Sequence, residues 1–325
     1  MKLRSLFLTV LLCSIATSVS WAADPIEVRY GLWAKKGEAQ YIGALKFKEV
    51  IEKESNGAFK VSVFPGNQLG TPREMLAQLA LNTTQICASG DPGLPVVEIM
   101  ALPYLMKSIK NYEAVMESEI GKEWNDALVE KRKVRLLGFV PRSPRQISAN
   151  KVINTIDDLK DLKLRAPERD YYVESLAALG AKPTPMSFKE VYTALQTGVV
   201  DGQENPIETI YAMKFFEVQK GVAMVDYINK PAYAMIGEKF WQSLSDEHKA
   251  LFIKAQKISR EEVTNILPEQ QKEFIAKMKE AGLSITYPDK APFIEATQVV
   301  RDKLGMKYWG EETYKKIVAI GAKDL

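Results

Sequence analysis

The chain has one histidine, His248, and two cysteines, Cys13 and Cys87. A single imidazole, placed by the pattern in the solvent-rich first turn of a long helix, removes Ser-His-Asp and Cys-His catalysis and histidine-based zinc sites. Cys13 falls in an apolar leader. Once that leader is removed Cys87 has no partner, so no intrachain disulfide forms and the fold must rest on a buried core. Cys87 then reads as a small buried apolar residue. Glycine-rich phosphate loops are also missing: GNQLGTPRE, Gly66 to Glu74, has neither the dinucleotide spacing nor a lysine-serine ending. An excess of one charge is missing too. The formal charge is +3, and removal of Lys2 and Arg4 with the leader leaves about +1, with no basic run, which argues against a nucleic-acid partner. Beyond the leader no stretch has the roughly 20 uninterrupted apolar residues that span a bilayer, which excludes stable membrane insertion. Neither an internal repeat nor a low-complexity segment is present.

At 325 residues, 46% hydrophobic and 26% charged, the chain has the length and composition of a soluble two-domain protein. Its first residues, MKLRSLFLTVLLCSIATSVSWA, combine a basic start, an apolar stretch and small residues at Ser20 and Ala22. This predicts a cleavable signal peptide over 1–22 and a periplasmic mature protein. Leu12 is bulky where a lipobox needs a small residue, which argues against lipidation at Cys13.

Alternating and 3.6-period patterns predict a β-α-β-α-β opening: strands over Ile26–Leu32, Phe59–Phe64 and Gln85–Ala88, with helices between them, the second over Thr71–Leu81. A helix over Asn111–Lys131 and a strand over Val134–Val140 follow. The segment from Pro141 then crosses to new structure. Arg142, Arg145 and Arg169 give this neighbourhood an excess of cations with few acidic residues beside them. Strands are predicted near Gln146–Ala149, Lys163–Ala166, Lys182–Pro185 and Val199–Gln203, and a strand over Tyr233–Gly237 returns across the boundary. A long helical pattern from Asp246 to Lys279 contains Pro268, which is expected to kink or divide it. The expected fold is α/β, two lobes with a cleft between them, hinge strands and a long helix spanning both. Lobe I is expected over 23–143 and 231–270, and lobe II over 144–230 and 271–325.

The most informative stretch is SFKEVYTALQTGVVDGQENP, Ser187 to Pro206, with LKLRAPE, Leu162 to Glu168, before it. Ser187 opens a helix with Glu190 at the capping-box position, and the chain then enters a strand ending at Gln203, Glu204, Asn205 and Pro206. Strand ends are where open α/β sheets bind ligands, and the guanidinium of Arg165 matches a carboxylate in two parallel hydrogen bonds. The same residues also suit an arginine on a strand edge and a turn before proline. SGDPGLP, Ser89 to Pro95, is a loop at a further strand end, read either as part of the same crevice or as a polar turn. An exported two-lobed protein without catalytic apparatus is what a periplasmic binding protein looks like; closure of the lobes would strip water from Arg145 and Arg165 as they gain a carboxylate. Paired carboxylates such as Asp157-Asp158 and Glu261-Glu262 sit in helical, solvated positions and leave a carboxylate-dependent hydrolase as the lesser alternative.

Three passages, QLGTPREMLAQL, IDDLKDLKLRAPE and PTPMSFKEVYTALQTGVVDGQENP, followed by KFFEVQK, resemble the solute receptors of tripartite ATP-independent periplasmic (TRAP) transporters. The C4-dicarboxylate and sialic acid receptors belong to that family, and the likeness covers most of the chain. The resemblance implies that Arg165 pairs with the substrate carboxylate and that Asn205 is a second carboxylate ligand. It also implies that Arg145 serves as a further arginine and Phe188 as an aromatic wall. Three positions depart from the sialic acid receptors: Leu32 or Trp33 stands where they carry an asparagine, Ser89 where they carry a glutamate, and Glu168 where they carry an asparagine. These leave the carboxylate anchor and alter what surrounds it. Trp33 suits either stacking on the ligand or packing within a lobe. Some relatives bind 2-oxo acids with a metal ion, but no carboxylate cage for one is evident, and neither metal nor cofactor is expected. The implied function is capture of a small organic acid, a sugar acid or C4-dicarboxylate, and its delivery to a two-subunit membrane permease. An ABC importer or a sensor kinase is the alternative partner.

Overall fold

Residues 24–325 are described by the computed structural model; the signal peptide expected over 1–22 lies outside them. Among the described residues eleven strands form two sheets: β1 Ile26–Leu32, β2 Phe59–Phe64, β3 Ile86–Ser89, β4 Val134–Val140, β5 Arg145–Ala149, β6 Lys163–Ala166, β7 Lys182–Pro185, β8 Gly202–Pro206, β9 Gly221–Ile228, β10 Ala232–Gly237 and β11 Ser284–Thr286. The first sheet has the order β2-β1-β3-β10-β4, and the second β11-β9-β5-β8-β6-β7. β1 runs parallel to β2 and β3, as right-handed β-α-β connections require, while β10 enters antiparallel between β3 and β4. The chain therefore passes from the first sheet to the second at 141–144 and returns at 229–231. No helix among the described residues is long and apolar enough to cross a membrane.

Each sheet is covered on both faces. Helices Ala39–Glu54 and Asp246–Glu280 pack on one face of the first sheet, around Phe47, Phe59, Phe240 and Phe252. The other face packs on helices Pro72–Leu81, Ile109–Glu117 and Glu119–Arg132 around Met75, Tyr112, Trp124 and Met235. His248 lies against the Phe59 ring edge-on, with centroids 4.8 Å apart, so the single histidine packs against the core.

The α/β architecture with two sheets matches the expectation, and four details differ from it. Pro268 does not divide the long helix, which runs from Asp246 to Glu280 without interruption. The turns on either side are held by packing, Phe252 and Ala255 on the first sheet's core and Phe274 and Met278 on the second's, so one missing N–H is tolerated. The helix expected over 111–131 is two helices, broken at Ser118. That residue is extended, and its hydroxyl donates to the Val115 carbonyl at 2.6 Å. The strand expected from Val199 starts only at Gly202, so Gln203 to Pro206, its expected end, are four of the five residues of β8, in register with Arg145, Gln146, Ile147 and Ser148 of β5. Residues 291–321, expected with lobe II, place Val300, Leu304, Trp309, Tyr314 and Ile317 in the core of the first sheet, while Phe293 and Ala296 pack with the second.

Close strand packing makes one glycine informative. A Cβ at Gly202 would stand 2.2 Å from the Ser148 carbonyl oxygen, so backbone must move to admit it. Gly202→Ala is expected to cost about 1–3 kcal/mol and to lower the melting temperature measurably. An unchanged melting temperature would show that β5 and β8 separate more easily than their register suggests.

Candidate functional site

The site is assembled where the two sheets meet, from the crossings at 141–144 and 229–231 and from the ends of β3, β6 and β7. β6 holds Arg165 beside Thr184 of β7 and Gln203 of β8. After β7 the Ser187 hydroxyl accepts from the Lys189 N–H at 3.4 Å, and the Glu190 carboxylate accepts from the Ser187 N–H at 3.0 Å. This local box fixes the turn that carries the Met186 carbonyl and the Phe188 ring toward Arg165.

Arg165 is buried, and its Nε and Nη2 both donate to the Met186 carbonyl, at 3.2 and 2.9 Å. Its guanidinium lies 5.8 Å from the Phe188 ring centroid. No carboxylate among the described residues forms an ion pair with it, so burial lowers its pKa to about 10. Braced on one edge by a carbonyl, the fork keeps its remaining donors for something else.

Arg145 is differently placed. It pairs with the fully buried carboxylate of Glu204, Nη2 to Oε1 at 2.6 Å and Nε to Oε2, while Nη2 also reaches the Glu204 carbonyl at 2.8 Å and the Asn205 Oδ1 at 3.1 Å. The Tyr172 ring lies 5.2 Å beneath the guanidinium. Burial works against its charge, but Glu204 more than offsets this and holds the group above its usual range. Asn205 Nδ2 in turn donates to Gln203 Oε1 at 2.6 Å. Both functional groups of Asn205 are thus engaged within the protein.

A cavity of about 240 Å³ is lined by Arg142, Arg145, Arg165, Glu168, Arg169 and Lys230, with Tyr171, Tyr172, Met186 and Phe188 as its apolar walls. Of the residues singled out in the sequence, Arg145, Arg165, Glu168 and Phe188 meet there. Asn205, Trp33 and Ser89 are outside its lining. The Ser89 hydroxyl accepts from the Asp91 N–H at 3.1 Å, which is the bond of a polar turn. Trp33 stacks under Arg142, with the guanidinium 5.0 Å from its ring centroid.

Three cations were not selected from sequence. Arg142 and Arg169 stood in the noted excess, but nothing ranked them; Lys230 follows β9, a strand that the sequence reading did not assign. Burial and neighbouring Arg145 lower the pKa of Arg142, and its Nε is buried without a partner. Arg169, from the start of helix Asp170–Ala178, reaches across to the first sheet's side and pairs with Asp91 and with Glu98, the latter at 3.1 Å. Burial, then hydrogen bonding with Asp91, raises Glu98 to about 7. Arg169 therefore ties the two halves beside the cavity, and with Asp91, Glu168 and Tyr171 it also lines an adjoining cavity of about 680 Å³.

Two sheets joined by crossing segments, a long helix touching both cores and a cationic cavity at the junction define a two-lobed binding protein. The family model of the bacterial extracellular solute-binding proteins, family 7, matches residues 30–307, and the chain belongs to that family, whose members are the solute receptors of TRAP transporters. It is 37% identical to the sialic acid-binding periplasmic protein SiaP of Vibrio cholerae, over 91% of this chain and 92% of that one. It is 31% identical to the C4-dicarboxylate-binding periplasmic protein DctP of Rhodobacter capsulatus, over 95% of each. A TRAP periplasmic solute-binding protein of Roseobacter denitrificans with bound L-galactonate superposes with a TM-score of 0.82 at 29% identity, covering 92% of this chain and 99% of that one. The family's members are binding proteins rather than enzymes, and they work in the periplasm.

Proposed function

We propose that this receptor binds a small organic acid, a sugar acid or a C4-dicarboxylate, by a salt bridge from Arg165 to the ligand's carboxylate. The loaded receptor then delivers the acid to a two-subunit TRAP permease, where an ion gradient drives uptake. The observation that carries this reading is a buried guanidinium at a cavity wall, braced by the Met186 carbonyl and lacking any carboxylate partner among the described residues. A carboxylate supplies the missing charge in the low-dielectric cleft, where charge-assisted hydrogen bonds are strong. Phe188 and Tyr172 offer apolar faces to the carbon chain. The cavity volume of about 240 Å³ suits a small ligand. Relatives named for sialic acid, C4-dicarboxylates and L-galactonate share only the carboxylate, and that is the group Arg165 suits. Export by the signal peptide over 1–22 and a lobe division at the crossings 141–144 and 229–231 complete the reading.

A thermal-shift screen of the mature protein against uronates, aldonates, C4-dicarboxylates, 2-oxo acids and sialic acid tests it. A ligand present at 100 times its Kd stabilises the folded state by about 2.7 kcal/mol, so one class of acid should raise the melting temperature by several degrees. Shifts by neutral or cationic compounds alone would overturn the reading.

A further inference from the structure

Lys230 sits on the second crossing, between β9 and β10, and its side chain is buried at the wall of the cavity that Arg165 lines. Its ammonium lies between two aromatic rings, 6.0 Å from Tyr171 and 5.7 Å from Tyr233. An ammonium carries three donors, yet among the described residues Lys230 makes neither a hydrogen bond nor an ion pair. Arg145 and Arg169 form ion pairs within the protein, Arg165 is braced by the Met186 carbonyl, and Arg142 donates to the Thr209 hydroxyl at 3.4 Å. Arg145 is neutralised by Glu204, Arg169 by Asp91 and Glu98, and Arg142 is faced by Glu208 and Glu38.

The carboxylates nearest Lys230 do not make up its deficit. Asp91 and Glu98 both pair with Arg169, and burial and Asp91 hold Glu98 up to about 7, so near neutral pH the pair does not carry its full charge. Arg169 already uses it. Burial, with Arg145 and Arg142 as like charges, lowers Lys230 to about 8 although Asp91 and Glu98 pull the other way. The Lys230 side chain is buried while its Nζ keeps some exposure, so its three donors are open to the cavity and a ligand group can accept from them.

We propose that Lys230 is the specificity-determining residue of the cavity, donating to a second anionic group on the ligand, so that the receptor prefers acids with two negative ends over matched monoacids. This rests on the reading of Arg165 as the first anchor and adds to it. The ligand chemistry is an acid whose second anion is a carboxylate or a phosphate. Phe188 and Tyr172 line the apolar space for the chain between.

Calorimetry on matched probes tests the assignment: gluconate against glucarate and 6-phosphogluconate, and 4-hydroxybutyrate against succinate, with wild type, Lys230→Met and Lys230→Arg. The wild type should bind at least one dianion about tenfold or more tighter than its monoacid. Lys230→Met should erase that ratio by weakening the dianion far more than the monoacid, and Lys230→Arg, which keeps the charge, should restore most of it. A tighter glucarate or a tighter 6-phosphogluconate identifies the second anion as carboxylate or phosphate. A dianion preference unchanged in Lys230→Met overturns the proposal, as does a wild type that binds monoacids best; either result leaves Arg165 as anchor. Absence of binding by every acid overturns the anchor reading and this proposal together. A lower melting temperature with an unchanged ratio in Lys230→Met marks Lys230 as structural and overturns it too.

Discussion

Arg165→Lys is expected to weaken binding of the cognate acid by about 10- to 100-fold although the charge is retained. A hydrogen bond to a charged group contributes about 1.5–3 kcal/mol, and lysine forfeits one of the two parallel bonds that the guanidinium offers. It also forfeits the brace. Nε and Nη2 lie on the Met186 carbonyl and aim the remaining donors into the cavity, whereas a flexible ammonium would spend its one centre either on that carbonyl or on the ligand. Arg165→Met should be worse still, because no cation remains for the buried carboxylate. Titration calorimetry at one pH and salt concentration checks both variants. An Arg165→Lys affinity within threefold of wild type would mean that another group holds the carboxylate.

Arg145→Met should act on stability first. Glu204 is fully buried and would be left with its charge uncompensated, a change that costs about 3–5 kcal/mol. The melting temperature should fall by roughly 10 °C at the ~2–4 °C per kcal/mol usual for large domains. Pairing it with Glu204→Met should recover most of the loss, since apolar residues of similar volume commonly replace a buried ion pair without penalty. The comparison separates the two arginines: Arg165 spends its charge outward and Arg145 inward. Were Arg145→Met to melt like wild type yet bind no acid, Arg145 would be the ligand's partner and the Glu204 contact incidental.

What could be read from sequence followed the range of each signal. The helix expected from Thr71 is found over Pro72–Leu81, and the Ser187-Glu190 box was legible because all its atoms lie within one turn. β10 was legible as a returning strand. β9, GVAMVDYI, was not, because it is buried along nearly its whole length and so shows no alternation, and losing it hid Lys230 at its end. The motif placed Arg145 near the site, but its partner is 59 residues away on the neighbouring strand, and no local pattern reports such a pair. Asn205 meets the same limit: the motif places it at the end of β8, but no local pattern reports that its side chain engages Gln203 and Arg145. Pro268 was weighed by local propensity alone, and packing on both sides outweighed it.

The unbroken helix of 35 residues has a mechanical consequence. One end is fixed in the first sheet's core and the other in the second's, and the only backbone position unable to donate lies between the two anchorages. At ~1.5 Å per residue the arm beyond Pro268 is about 18 Å long, so a bend of about 10° there sweeps its tip through about 3 Å. Were the two sheets to rotate about that position, the helix would act as a lever, turning a slight rotation at the cleft into a side-chain-sized displacement at its far end.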